Sequence, residues 1–105
     1  MSPSLQLTES QLGIVLAVLR QHAPDREVRV FGSRARGDAR RMSDLDLALM
    51  GDHPLPLAVL ADLREAFAES DLSFRVDLLD WARTSDHFRG LIKEEGIVIH
   101  EGRLP

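Results

Sequence analysis

Val28-Arg29-Val30-Phe31-Gly32-Ser33-Arg34-Ala35-Arg36-Gly37-Asp38-Ala39-Arg40-Arg41-Met42-Ser43-Asp44-Leu45-Asp46-Leu47-Ala48-Leu49 decides the fold of this chain. Its first four residues alternate loosely and read as a buried strand that ends at Gly32-Ser33. From Arg34 to Met42 the residues are small, polar and basic, which predicts a loop with one helical turn. Leu45, Leu47 and Leu49 then alternate with Asp44, Asp46 and Ala48, the period of a strand with one acidic face.

Outward from this stretch the elements follow in turn. Upstream, Thr8 and Gln11 have capping-box spacing and start a helix whose apolar stripe is Leu12, Val15, Leu16 and Leu19. Ala23-Pro24-Asp25 stops it. Downstream, Gly51-Asp52-His53-Pro54 breaks the acidic strand, and Pro56 opens a second long helix with Leu57, Leu60, Leu63 and Phe67 on one side. Phe74 to Leu79 reads as a third strand, with Arg75, Asp77 and Leu79 facing opposite to Phe74, Val76 and Leu78. A final helix around Ser85 to Glu95 presents Phe88, Leu91 and Ile92 and is capped by Gly96; Ile97-Val98-Ile99 is a last short strand. The expected product is a two-layer α/β (α+β) domain, a mixed β-sheet packed by helices, spanning residues 1–105 as a single domain.

Composition narrows the function classes. With no cysteine there is no disulfide framework, thiolate zinc site or cysteine nucleophile. The N-terminal stretch Met1-Ser-Pro-Ser-Leu-Gln-Leu has no basic segment followed by an apolar run, and no stretch approaches the roughly 20 apolar residues that span a bilayer. A soluble, cytoplasmic protein without a membrane partner is expected. A net charge of −4 counts against a nucleic-acid partner held by its phosphates. Between Asp25 and Arg41, however, six arginines face three acids, a local +3 that leaves −7 for the rest of the chain. A basic stretch inside an acidic protein fits a confined anion site better than a broad basic face.

The chemistry concentrates in the middle of the chain. Asp44 and Asp46 lie two residues apart on a strand, so their side chains leave one face with α-carbons roughly 6.7 Å apart. Carboxylates so spaced can converge on a divalent cation or bridge two cations about 3.5–4 Å apart. An oxygen-only set favours Mg²⁺ or Mn²⁺ over zinc. Asp77, on the polar face of another strand, would complete a three-carboxylate cluster if the two strands are neighbours. Gly32 permits a turn with positive φ and a close approach of phosphate to the main chain; Ser33 can donate its hydroxyl and amide, and Arg34 and Arg36 supply positive charge. His22, His53, His87 and His100 are scattered without ligand spacing, Trp81 reads as core, and Asp80 as a turn residue.

The segment from Gly32 to Leu47, in which Ser33 precedes Asp44 by 11 residues, resembles the signature of the polymerase-beta-like nucleotidyltransferase superfamily. That signature is Gly-Ser, a short spacer, Asp-x-Asp and a third acid on a later strand. The Ala35-Arg36-Gly37 and Ser43-Asp44-Leu45-Asp46-Leu47 forms resemble its minimal nucleotidyltransferase branch, which includes antitoxins paired with HEPN-family toxins. The resemblance implies a nucleotidyltransferase fold, ATP as substrate and two Mg²⁺ ions (or Mn²⁺) ligated by Asp44, Asp46 and Asp77. It implies that Asp77 helps take the proton of the acceptor hydroxyl, and that Gly32 and Ser33 hold the β,γ-phosphates with Arg36 nearby. It further implies that AMP passes to a tyrosine hydroxyl of a HEPN-family toxin bound in a heteromeric complex. Two other outcomes fit the same residues: a binding protein that neutralises its toxin by covering it, and transfer to a small molecule or an RNA end.

Overall fold

Thr8 opens the first element as its spacing predicts. Its Oγ1 accepts from the Gln11 N–H at 3.1 Å, and the Gln11 side chain accepts from the Thr8 N–H at 2.9 Å, so two otherwise orphan donors are satisfied. This computed structural model describes residues 4–102. Residues 1–3, which begin the stretch read above for a leader, and residues 103–105 lie outside the described residues. Helix α1 (Glu9–His22) is followed by strand β1 (Val28–Phe31), the short helix α2 (Ser33–Arg36) and strand β2 (Leu45–Leu49). Helix α3 (Leu57–Ala68), strand β3 (Val76–Asp80), a 3₁₀ turn (Trp81–Arg83), helix α4 (Asp86–Glu95) and strand β4 (Ile97–His100) complete the order. The loop with one helical turn expected after Gly32 is α2 and the segment behind it.

The four strands form one mixed sheet in the order β3-β2-β1-β4, with β1 antiparallel to β2 and β4, and β2 parallel to β3. Because side chains alternate, one face collects Val28, Val30, Leu45, Leu47 and Leu49, all fully buried. Val15 and Leu19 of α1, with Leu60, Leu63 and Phe67 of α3, pack against it as the main core. Each such side chain contributes about 1.5–3 kcal/mol when taken out of water, so this layer carries most of the stability. The opposite face presents Phe31, Asp46, Ala48, Asp77 and Leu79, and α4 covers part of it through the fully buried Ile92 against Phe31 and Ala48. The two-layer body therefore gains partial cover on its second face. No described helix is long and apolar enough to cross a membrane.

Several expectations at the edges are corrected. Pro56 is the N-cap of α3 rather than inside its first turn, and Leu57, at the helix entry beyond the sheet, is exposed. Phe88 is exposed as well; of the α4 stripe only Ile92 is buried, because the helix touches the sheet near its C-terminal end. Gly96 caps α4 with an extended backbone, φ −67°, and a side chain there would run into the Ile92 carbonyl. Asp80 ends β3 on the core side; its buried carboxylate accepts from Leu55 N–H at 2.9 Å and Ala82 N–H at 3.3 Å. Trp81 is half-buried beside Ile92 and Ala48, with the Arg89 guanidinium 4.8 Å from its ring.

Arg34 overturns its expected role as a source of charge for phosphate. It is 5% exposed and turned inward, where it donates to the carbonyls of Gln6 (2.9 Å), Arg41 (3.1 Å) and Ser43 (2.8 Å). Its guanidinium lies 3.9 Å from the Phe74 ring centroid, and burial pulls its pKa below the usual value. A planar fork with five N–H donors can satisfy three spread-out loop carbonyls at once while its face lies on an aromatic ring, a combination a lysine ammonium does not offer. The spacer between Gly32-Ser33 and Asp44-x-Asp46 is thereby tied to the N-terminal segment. Arg34→Ala is expected to cost about 2–4 kcal/mol in urea unfolding, because several buried carbonyls lose their donors together. Arg34→Lys should recover less than half of that loss.

Candidate active site

Three strand ends meet at one end of the sheet. Since β1 runs against β2 and β2 runs with β3, the end of β1 lies beside the beginnings of the other two. In the register, Phe31 pairs with Asp46 and Asp46 pairs with Asp77, so the two carboxylates leave the same face on adjacent strands. Asp44 sits two residues before Asp46, just ahead of β2. The neighbouring strands that the third acid requires are thus observed, and the structure brings Asp44, Asp46 and Asp77 to one place.

Gly32 turns the chain there with φ 75°, a conformation that side chains other than hydrogen rarely adopt. A Cβ at this position would collide with the Asp46 carboxylate, so glycine is required both by the turn and by the close approach. The turn of α2 is closed by the N–H groups of Ala35 and Arg36 on the Gly32 carbonyl and of Gly37 on the Ser33 carbonyl. The amides of Ser33 and Arg34 stand outside those bonds, at the positive end of the turn and beside the carboxylates.

Electrostatics set the character of the site. Asp46 has its pKa raised to about 6, first by burial and then by the charges of Asp77 and Asp44; Arg36 opposes the rise and Glu95 adds to it. Arg75 relieves the other two acids: its Nη2 is 3.3 Å from Asp44 and its Nε 3.4 Å from Asp77. This arginine is 73% exposed and free to leave by rotation of its side chain. With Asp44 and Asp77 turned to it, no group of three His, Asp or Glu side chains among the described residues is already closed around a single point. The donor set is nonetheless all oxygen, and a hard divalent cation beside Asp46 would offset both the burial and the repulsion that raise its pKa. The residues fit such an ion.

Arg36 was expected near phosphate and lies at the same edge. Its guanidinium bridges Asp38 (Nε, 3.2 Å) and Glu95 (Nη1, 3.2 and 3.3 Å), and these partners raise its pKa, Asp38 first. Glu95 also accepts from the Gly32 N–H at 2.9 Å. Sequence reasoning missed Glu95, which is remote in the chain and has no local signal. It gave Arg75 no role, although Arg75 shares the polar face of its strand with Asp77.

The sheet with its acidic edge and glycine turn defines a nucleotidyltransferase, and the chain belongs to the polymerase beta nucleotidyltransferase family, whose model matches residues 15–103. Within the family it is an MNT-type chain: it is 48% identical over 97 residues to the probable protein adenylyltransferase MntA of Haemophilus influenzae, covering 92% of this chain and 85% of that protein. A chain in the crystal structure of a toxin–antitoxin with AMP-PNP superposes with a TM-score of 0.73 at 25% identity, covering 88% of this chain and 74% of that one. A chain in the structure of a tri-AMPylated Shewanella oneidensis HEPN toxin in complex with its MNT antitoxin shares the fold, with a TM-score of 0.66, 22% identity and coverage of 86% and 69%.

The raised pKa of Asp46 has a signed consequence. The folded chain holds this proton more tightly than the unfolded chain, so stability falls as pH rises from about 4 through about 6. Asp46→Asn is expected to melt higher than the parent at pH 7.5 without divalent metal, by about 1 kcal/mol after solvent screening at a half-exposed group. That is roughly 4–8 °C, and the difference should vanish below pH 4. Millimolar Mg²⁺ should raise the melting temperature of the parent and leave that of the variant unchanged, measured by calorimetry.

Proposed function

We propose that this chain transfers AMP from ATP to a tyrosine hydroxyl of a partner HEPN-family toxin, with Mg²⁺ held by Asp44, Asp46 and Asp77. The observation that carries the reading is the register of Asp46 against Asp77 beside the glycine turn at Gly32-Ser33. Kinship supports the class of reaction: MntA of H. influenzae is a probable protein adenylyltransferase, and the matched toxin complexes hold AMP-PNP in one case and an AMPylated HEPN toxin in another.

In this reading the Ser33 hydroxyl and the amides of the α2 turn bind the β,γ-phosphates, and the absence of a side chain at Gly32 lets the chain carry them close to Asp46. The acceptor oxygen attacks the α-phosphorus, a P–O bond to the acceptor forms, and the bond from the α-phosphorus to the α,β-bridging oxygen breaks as pyrophosphate leaves. Asp77 accepts the proton of the acceptor hydroxyl. Mg²⁺ bound to the carboxylates supplies charge neutralisation at the phosphates and lowers the acceptor's pKa. Arg75, released from Asp44 and Asp77, is mobile enough to face the departing phosphates.

The test mixes α-labelled ATP, Mg²⁺, this protein and the HEPN toxin with which it forms a complex, and reads intact mass. The toxin should gain one or more AMP units, and Asp77→Asn should slow the gain by at least about a hundredfold, the scale of a lost general base. A tight complex with no mass gain would establish neutralisation by binding instead. Label on an RNA 3′ end or a small molecule would redirect the acceptor.

A further inference from the structure

Glu95 lies at the junction between α4 and β4, and both sides of that junction are anchored. One turn earlier on the same helix face, Ile92 is fully buried against Phe31 and Ala48. Gly96 follows directly and admits the close pass of the chain beneath the Ile92 carbonyl. Strand β4 then pairs with β1, the strand that leads into Gly32. The Glu95 carboxylate is consequently delivered to the end of β1 with little freedom; its side chain is 17% exposed. There Oε1 accepts from the Gly32 N–H at 2.9 Å, and both oxygens engage Arg36 Nη1 at 3.2 and 3.3 Å.

We propose that Glu95 is a positioning residue of the nucleotide site, fixing the Gly32 turn through its amide and aiming the Arg36 guanidinium at the edge where the carboxylates and phosphates meet. The proposal rests on the nucleotide reading above. Arg36 is long, and its side chain is 48% exposed; unrestrained, it would pay side-chain entropy each time it met an anion. Glu95 orders it beforehand and gives the Gly32 N–H a partner that holds the turn against the Asp46 carboxylate. The opposite role is also physically clear: a carboxylate near a triphosphate repels it. The two roles predict opposite signs when the charge is removed.

The experiment titrates a non-hydrolysable ATP analogue with Mg²⁺ into the parent, Glu95→Ala, Glu95→Gln, Arg36→Ala and the Arg36→Ala/Glu95→Ala double variant. Binding is read by calorimetry well below every melting temperature. Glu95→Ala should bind about tenfold more weakly or worse, the scale of losing charge-assisted hydrogen bonds. Glu95→Gln should recover part of the loss, since its amide oxygen still accepts from the Gly32 N–H. The double variant should lose less than the two single losses together, because one contact is shared. Tighter or unchanged binding in Glu95→Ala would overturn the proposal. Should that variant fail to fold, the same outcomes in Glu95→Gln decide. A parent that binds no Mg²⁺ and nucleotide would instead overturn the nucleotide reading itself, whereas a parent that binds and a Glu95→Ala variant that binds equally well would overturn the positioning role alone.

Discussion

Asp46 and Asp77 stand opposite each other on adjacent parallel strands, a placement that like charges disfavour. The other face of the same strands is what holds it. Leu45, Leu47 and Leu49 are fully buried between β1, β3 and the two long helices, and a register slip of one residue would turn that whole row to solvent. The leucines thus impose the acids' proximity, and the site's electrostatics follow. Burial and mutual repulsion raise the pKa of Asp46, while Arg75 sits between Asp44 and Asp77 as a movable countercharge. This surplus of negative charge beside an exposed arginine is what the proposed Mg²⁺ site rests on.

Around the acids, arginines divide into two kinds. Arg34 is committed to the fold: its donors are spent on three loop carbonyls and its face on Phe74. Arg36, two residues on, remains on the surface and is held by the carboxylates of Asp38, just past α2, and Glu95, at the end of α4. Both belong to the same short motif, and their chemistry is identical. Position relative to the sheet edge separates scaffold from site.

Much of this was readable in the chain. The strand carrying Asp44 and Asp46 has a two-residue period with leucines on the other side, so both its type and its acidic face are local properties. Thr8 and Gln11 likewise declare a helix start within four residues. What pairs with β2 is not local: Asp77 joins Asp46 only because α3 returns the chain parallel to it, a choice made by core packing. Arg34 reads as a surface charge because nothing in its neighbours reveals the carbonyls of Gln6 and Ser43 waiting inside. Glu95 lies 63 residues from its Gly32 partner, and no spacing rule spans such a distance. The second-face placement of α4 was equally hidden, since its apolar stripe exposes Phe88 and buries only Ile92.

The pairing of β1 with β4 joins Val30 to Ile97, whereas β1 meets β2 and β2 meets β3 over much shorter stretches of chain. Closing the longest loop carries the largest entropic penalty, although each doubling of loop length adds only about 0.6 kcal/mol. In order along the chain, the acidic edge and the glycine turn come from the earlier segments, and β4 follows with α4 and Glu95. The polypeptide emerging from the ribosome therefore holds all three aspartates before it holds the segment that steadies the turn beside them. Completion of the site coincides with completion of the sheet.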